Sequence, residues 1–91
     1  MNHSELSVKT IIQDLETKLD KNQNLYFKLT LRGFSNYFYA FSYKFPEKTW
    51  QTLKERPEQF INQLVLITYQ ELPNLDGQGT FFKVKGIEIV P

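Results

Sequence analysis

LYFKLTLRGFSNYFYAFSYKF, residues 25–45, is the most informative stretch of this chain. Its first half alternates apolar and polar side chains, which is the period of a strand with one buried face. Gly33 and the polar residues after it predict a turn, and residues 37–44 predict a second strand. The stretch holds nine of the chain's fourteen aromatic residues, and its only charges are Lys28, Arg32 and Lys44. It therefore predicts a hairpin rich in rings and in positive charge.

The length of the hairpin loop decides which way the rings of the second strand point. Lys28 and Arg32 must reach water, so Phe27, Leu29 and Leu31 face the core. Opposed residues of an antiparallel pair share a face, so an even loop turns the odd-numbered rings toward water. In that register the opposed pairs are Arg32 with Tyr37, Thr30 with Tyr39, Lys28 with Phe41 and Tyr26 with Tyr43, and Phe38, Ala40 and Ser42 lie inside.

An odd loop, residues 34–36, reverses this arrangement. Tyr39, Phe41 and Tyr43 then enter the core, and each buried tyrosine hydroxyl without a partner costs roughly 1–3 kcal/mol. We favour an even loop, residues 34–35 or 33–36, because two-residue hairpin loops are the commonest.

The segment before the hairpin, residues 8–19, fits either a strand or a helix. Its β-branched start and the turn-rich residues 20–24 favour a strand. After the hairpin, residues 47–55 predict a short helix, with a further turn that begins at Pro57.

The last third of the chain predicts two more strands. The apolar run at residues 64–70 predicts a strand covered on both faces, and the glycines and proline of residues 72–79 predict a loop. Residues 80–90 predict the final strand, in which a bulge at Gly86 brings Ile87 and Ile89 onto the core face.

Composition limits the class of protein. Ninety-one residues predict one domain, residues 8–91, after a flexible N-terminus, residues 1–7. The net charge is only +1, although residues 21–46 and 77–86 contain no acids. No apolar run of roughly 18 residues and no secretory signal is present, so we expect a cytoplasmic protein without a membrane partner.

No group of residues predicts catalysis. The chain has no cysteine and one histidine, so Asp14, Glu16 and Asp20 lack the partners that a metal or acid–base site requires. Residues 76–79, DGQG, lack the Lys-Ser/Thr of a phosphate loop. We expect no enzyme activity, no metal and no cofactor.

The order of strand, strand, strand, helix, strand, strand predicts a mainly β protein that closes into a five-stranded OB-fold barrel. Trp50, Leu53 and Phe60 would plug one end of it. The runs VKTIIQDLETK, LYFKLTLRG, NYFYAFSY, LVLITYQ and FFKVKGIEIV resemble OB-fold nucleic-acid-binding domains of the anticodon-binding and single-stranded-DNA-binding type. The resemblance covers residues 8–90. It implies a ligand surface on strands two and three and on loops 20–24 and 73–79.

Rings interleaved with positive charges suit single-stranded nucleic acid, because bases stack on rings and cations contact phosphates. We therefore expect single-stranded DNA or RNA to bind with little sequence preference. The alternative is a protein-interaction module or homodimer that uses the same aromatic face. The candidate site residues are Tyr26, Tyr37, Tyr39, Phe41 and Tyr43 for stacking, and Lys28, Arg32, Lys83 and Lys85 for phosphates.

Overall fold

The structure is a computed structural model that describes residues 5–41 and 45–91. Five strands of these ranges close into a barrel in the order β1-β2-β3-β5-β4, and β1 also pairs with β4. Of the pairings, β3 with β5 is parallel and the others are antiparallel. The strands are β1 (Leu6–Leu19), β2 (Leu25–Leu31), β3 (Phe38–Phe41), β4 (Leu64–Pro73) and β5 (Thr80–Ile89).

A short helix, α1 (Glu47–Glu55), lies between β3 and β4 and is followed by a 3-10 turn (Pro57–Gln59). The mainly β barrel with its helix in this place is the predicted OB-fold. No helix of the described ranges is long and apolar enough to cross a membrane.

The N-terminal segment is a strand, as predicted, and not a helix. The first half of β1 pairs with β4, and the second half pairs with β2. The register shifts between Ile12 and Asp14, where the strand passes from one neighbour to the other. A bulge of this kind bends a strand, which lets β1 contribute to two sides of the barrel.

The hairpin supplies the centre of the core. Phe27, Leu29 and Leu31 of β2 are buried, as the alternation predicted. At the barrel end, the Trp50 ring of α1 lies 4.9 Å from the Phe27 ring, and Leu53 and Phe60 are buried beside it in the same cluster. The burial of these three residues in the core is as predicted, and that they plug one end of the barrel stays a prediction.

The orientation predicted for β3 is confirmed, but its predicted register is wrong. Phe38 and Ala40 are buried, whereas Tyr39 and Phe41 are not, as an even loop requires. However, Lys28 pairs with Tyr39 and Tyr26 pairs with Phe41, a shift of two residues. Pairing between β2 and β3 ends at Leu29 and Phe38, although β2 continues to Leu31 beside β1, and residues 32–37 form a longer connection than the predicted turn.

The left-handed backbone of Gly33 (φ 87°) lies within that connection. This conformation favours glycine, since a Cβ atom would meet the following carbonyl oxygen. The Phe34 N–H donates to the Leu31 carbonyl at 3.2 Å, which begins the turn.

Residues 42–44 lie outside the described residues. The predictions that Ser42 faces the core and that Tyr43 faces water fall on these residues.

Two expectations for the last strands are wrong. Leu64 is 46% exposed, so β4 is not covered on both faces. Ile87 joins the core, but Ile89, the last residue of β5, is 46% exposed although it still pairs with Val65. The predicted bulge exists one residue earlier, at Lys85, which has no partner between the Thr68–Gly86 and Tyr69–Val84 pairs.

Candidate nucleic-acid interface

Three rings on neighbouring strands share the outer side of the barrel. Tyr26 of β2 and Tyr39 and Phe41 of β3 are half-buried, and we call this set the aromatic face. The Tyr26 ring centroid lies 6.2 Å from that of Tyr39 and 5.5 Å from that of Phe41. Because successive side chains of a strand alternate between faces, the buried Phe38 and Ala40 beneath them fix these rings toward the outside.

The aromatic face forms the floor of a groove of about 690 Å³. This volume lies within the range of ligand-binding clefts, which is roughly 300–1,000 Å³. Rings make up six of the eleven lining residues, so the groove offers flat apolar surfaces. The lining residues are Asp20, Tyr26, Ser35, Asn36, Tyr37, Tyr39, Phe41, Asn74, Thr80, Phe81 and Phe82.

The groove reaches both loops that the OB-fold resemblance implied. Asp20 belongs to the β1–β2 loop and Asn74 to the β4–β5 loop. Sequence analysis did not assign Phe81 and Phe82 to the site, although both line the groove at the start of β5. Strand alternation could have indicated Phe81, because it is two residues from the candidate Lys83 and so shares its face of the strand.

Tyr37 stands at the rim of the groove, in the connection before β3, and is 47% exposed. The Lys28 Nζ atom lies 3.8 Å from the centroid of the Tyr37 ring, a cation–π contact. The same Nζ atom lies 3.8 Å from Oε2 of Glu16, the residue opposite Lys28 on β1. Lys28 is therefore enclosed between a ring and a carboxylate.

The other predicted cations differ in their relation to the rings. Lys83 pairs with Tyr39 across the β3–β5 contact, and its Nζ atom lies 5.9 Å from the Phe41 ring centroid. Its side chain is buried, with 9% of the residue exposed. Lys85 is half-buried at the β5 bulge, and Arg32 is exposed in the turn after β2; neither lines the groove. The predicted stacking residue Tyr43 lies outside the described ranges.

The β1–β2 loop at the groove is held by one carboxylate. Oδ1 of Asp20 accepts hydrogen bonds from the backbone N–H groups of Asn22 and Asn24, each at 2.8 Å. The hydrogen bond from the Asn24 N–H is the main cause that lowers the pKa of Asp20, because it stabilises the ionised form. The loop geometry and the ionisation of Asp20 are therefore coupled.

This coupling predicts a pH dependence of the loop at low pH. A lowered pKa in the folded state means that ionised Asp20 stabilises the fold above the ordinary carboxyl value of about 3.9. That contribution is lost as the pH falls below this value and through the lowered pKa. In NMR spectra recorded against pH, the Asn22 and Asn24 amide signals should move together with a midpoint below the ordinary value. Asp20→Asn, which keeps an acceptor oxygen, should abolish the transition, and a midpoint at or above 3.9 would contradict the assignment.

Within residues 5–41 and 45–91, no cluster of three or more histidine, cysteine, aspartate or glutamate side chains could hold a metal ion. The groups that line the groove are rings, amides, hydroxyls and the Asp20 carboxylate, with the cations Lys28 and Lys83 nearby.

Comparison with known proteins identifies the fold. No model of a protein family matches the chain, and no curated protein sequence does. Solved structures that are similar include two crystal structures of the mitochondrial single-stranded DNA binding protein Rim1 of S. cerevisiae. One has a TM-score of 0.66 at 18% identity, covering 99% of this chain and 96% of that one. The other has a TM-score of 0.67 at 19% identity, covering 98% and 97%. At this identity the likeness establishes a shared OB-fold over nearly the whole chain.

Proposed function

We propose that this OB-fold chain binds single-stranded DNA with little sequence preference, along the aromatic face and its groove. The observation that carries the proposal is the outward position of Tyr26, Tyr39 and Phe41 on adjacent strands. Each ring offers a surface on which a base can stack, and a stacked base contributes about 1–3 kcal/mol by alanine substitution.

The composition of the groove supports low sequence preference. Stacking on a ring tolerates every base, since every base has a π-face. Sequence reading would instead require side chains that form paired hydrogen bonds with base edges. The groove contains amides and hydroxyls at its ends, but its floor consists of rings.

The cations near the rings support a modest electrostatic contribution. Lys28 and Lys83 contact rings of the groove, while Arg32 and Lys85 lie outside it. The net charge of +1 predicts only a weak general attraction for polyanions. We therefore infer that stacking supplies most of the affinity and that few phosphates are neutralised.

DNA is the first choice of ligand because the structurally similar Rim1 is a single-stranded DNA binding protein. RNA offers the same bases and phosphates to rings and cations. The aromatic face contains no feature that selects for or against a 2′-hydroxyl, so an RNA oligonucleotide of matched length belongs in the same experiment.

Fluorescence anisotropy of a labelled oligo-dT, titrated with the purified chain at low salt, tests the proposal. We expect saturable binding that is much weaker for a duplex, whose bases cannot reach the rings. The plot of log affinity against log salt should have a slope no steeper than about −3, since each phosphate contact on a single strand contributes about −0.7. No change in anisotropy at high micromolar protein removes the proposal.

A protein partner or a homodimer is the second candidate, and the near-zero net charge is the observation that favours it. An exposed aromatic surface often marks a protein contact. Light scattering of the purified chain distinguishes the two: self-association that persists at high salt and is lost in Tyr39→Ala supports a dimer through the aromatic face.

A further inference from the structure

Lys28 occupies an unusual place for a phosphate-binding residue. Its ammonium lies over the Tyr37 ring, and its side chain is only 24% exposed. Tyr37 lines the groove, whereas Lys28 is not among the described residues that do. The charge of Lys28 is thus directed at a ring and not into the space where a ligand would lie.

We propose that Lys28 is a positioning residue, which holds the Tyr37 ring at the rim of the groove so that a base can stack on it. This inference rests on the proposed function, since it assigns Tyr37 a role in binding. A ring face covered by an ammonium is closed to a base, so the opposite face and the edge of Tyr37 remain for the ligand.

Tyr37 needs such support because the sheet does not supply it. β3 begins at Phe38, and the last pair between β2 and β3 joins Leu29 to Phe38. Tyr37 therefore belongs to an irregular connection and is largely exposed, so strand pairing does not fix its side chain. Instead, the cation–π contact with Lys28 links the Tyr37 ring to β2 of the barrel.

Glu16 completes the arrangement from the opposite side. It faces Lys28 across the β1–β2 pair, and its Oε2 atom forms an ion pair with the Lys28 Nζ atom at 3.8 Å. This contact holds the lysine in one place and offsets its charge. Both effects suit a residue that fixes a ring, and the second makes Lys28 a weak partner for a phosphate.

The chain offers a matched control for this role. Lys18 is also on β1, and its Nζ atom lies 3.8 Å from the same Glu16 Oε2 atom. Its own carboxylate contact therefore resembles that of Lys28, and although it lies opposite Tyr26 on β2, no ring contact is described for it. Lys18→Met removes the same charge beside the same acid and leaves the Tyr37 ring as it is.

The test measures oligo-dT affinity and its salt dependence for Lys28→Met, Lys28→Arg, Tyr37→Leu, Lys18→Met and the Lys28→Met/Tyr37→Leu double variant, each confirmed as folded by circular dichroism. We expect Lys28→Met and Tyr37→Leu to weaken binding by similar amounts, about fivefold or more. The double variant should be no weaker than either single one, and the salt slope of Lys28→Met should equal that of the wild type. Lys28→Arg should bind nearly as tightly as the wild type, since arginine also stacks on rings. Lys18→Met should change the affinity little.

NMR of the free protein supplies a readout that needs no ligand. The ε-methylene protons of Lys28 should resonate upfield of those of other lysines, because the Nζ atom bonded to that carbon lies 3.8 Å from the Tyr37 ring centroid, and Tyr37→Leu should remove this displacement. An ordinary chemical shift for Lys28 overturns the proposal.

The binding data separate the remaining outcomes. A Lys28→Met variant whose salt slope is shallower by about 0.7, with losses that add to those of Tyr37→Leu, identifies Lys28 as a phosphate contact and overturns this inference alone. Failure of the wild type to bind overturns the proposed function and, with it, the role assigned to Tyr37.

Discussion

Phe38→Ala is expected to lower the free energy of unfolding by about 3–5 kcal/mol, the cost of removing a fully buried phenylalanine. The Phe38 side chain has no exposed surface and lies at the meeting point of three rings. Its ring stacks on Phe82 at 4.8 Å and meets the edges of Tyr69 and Phe34 at 5.0 and 5.2 Å. Since small domains have a total stability of about 5–15 kcal/mol, this change removes a large fraction of it.

Urea denaturation followed by circular dichroism measures this loss directly. The control is Tyr39→Ala, the next residue of β3, whose side chain lies on the other face of the strand. We expect the control to unfold near the wild-type midpoint. A loss below about 1 kcal/mol for Phe38→Ala, or an equal loss in both variants, contradicts the assignment of the two faces.

Tyr39→Ala is expected to weaken binding of single-stranded DNA by about 5- to 150-fold, which corresponds to the 1–3 kcal/mol of one stacked base. Tyr39 lies between the other rings of the groove, beside Tyr26 and opposite Lys28. Its ring is half-buried, so its removal leaves no cavity in the core. The change therefore acts on the binding surface and spares the fold.

Anisotropy titrations with oligo-dT measure the loss, and Tyr39→Phe is the matched control. Tyr39→Phe keeps the ring and removes only the hydroxyl, so it should bind nearly as the wild type does. Unchanged affinity in Tyr39→Ala would place stacking elsewhere. A large loss in Tyr39→Phe would mean that the hydroxyl, and not the ring, makes the important contact.

The faces of the strands were predictable because the orientation of one residue fixes the orientation of all the others in the same strand. Lys28 must reach water, and this single requirement fixes the orientation of every residue in β2. Parity then carries the orientation to β3, so the outward position of Tyr39 and Phe41 followed from an even loop. The register did not follow, because a shift of two residues leaves every side chain on the same face.

Contacts between side chains on neighbouring strands were beyond the reach of the sequence pattern. The pairing of Glu16 with Lys28 depends on the register set where β1 ends at Leu19 and β2 begins at Leu25, and the alternation of residue types does not fix that register. The packing of Lys83 against Phe41 likewise depends on the parallel contact of β3 with β5. Phe82 was expected only in the core, but its place near the start of β5 also exposes it to the groove.

The parallel contact between β3 and β5 has a consequence for folding. It joins residues far apart along the chain, such as Phe38 and Phe82, and such long-range pairings cost loop-closure entropy before they stabilise anything. The three outward rings lie on β2 and β3, which pair locally, whereas Phe81 and Phe82 reach the groove only when β5 pairs with β3, so we expect the groove to be completed late in refolding. Until then β3 leaves an unpaired edge, which is a point of aggregation that nascent chains must avoid.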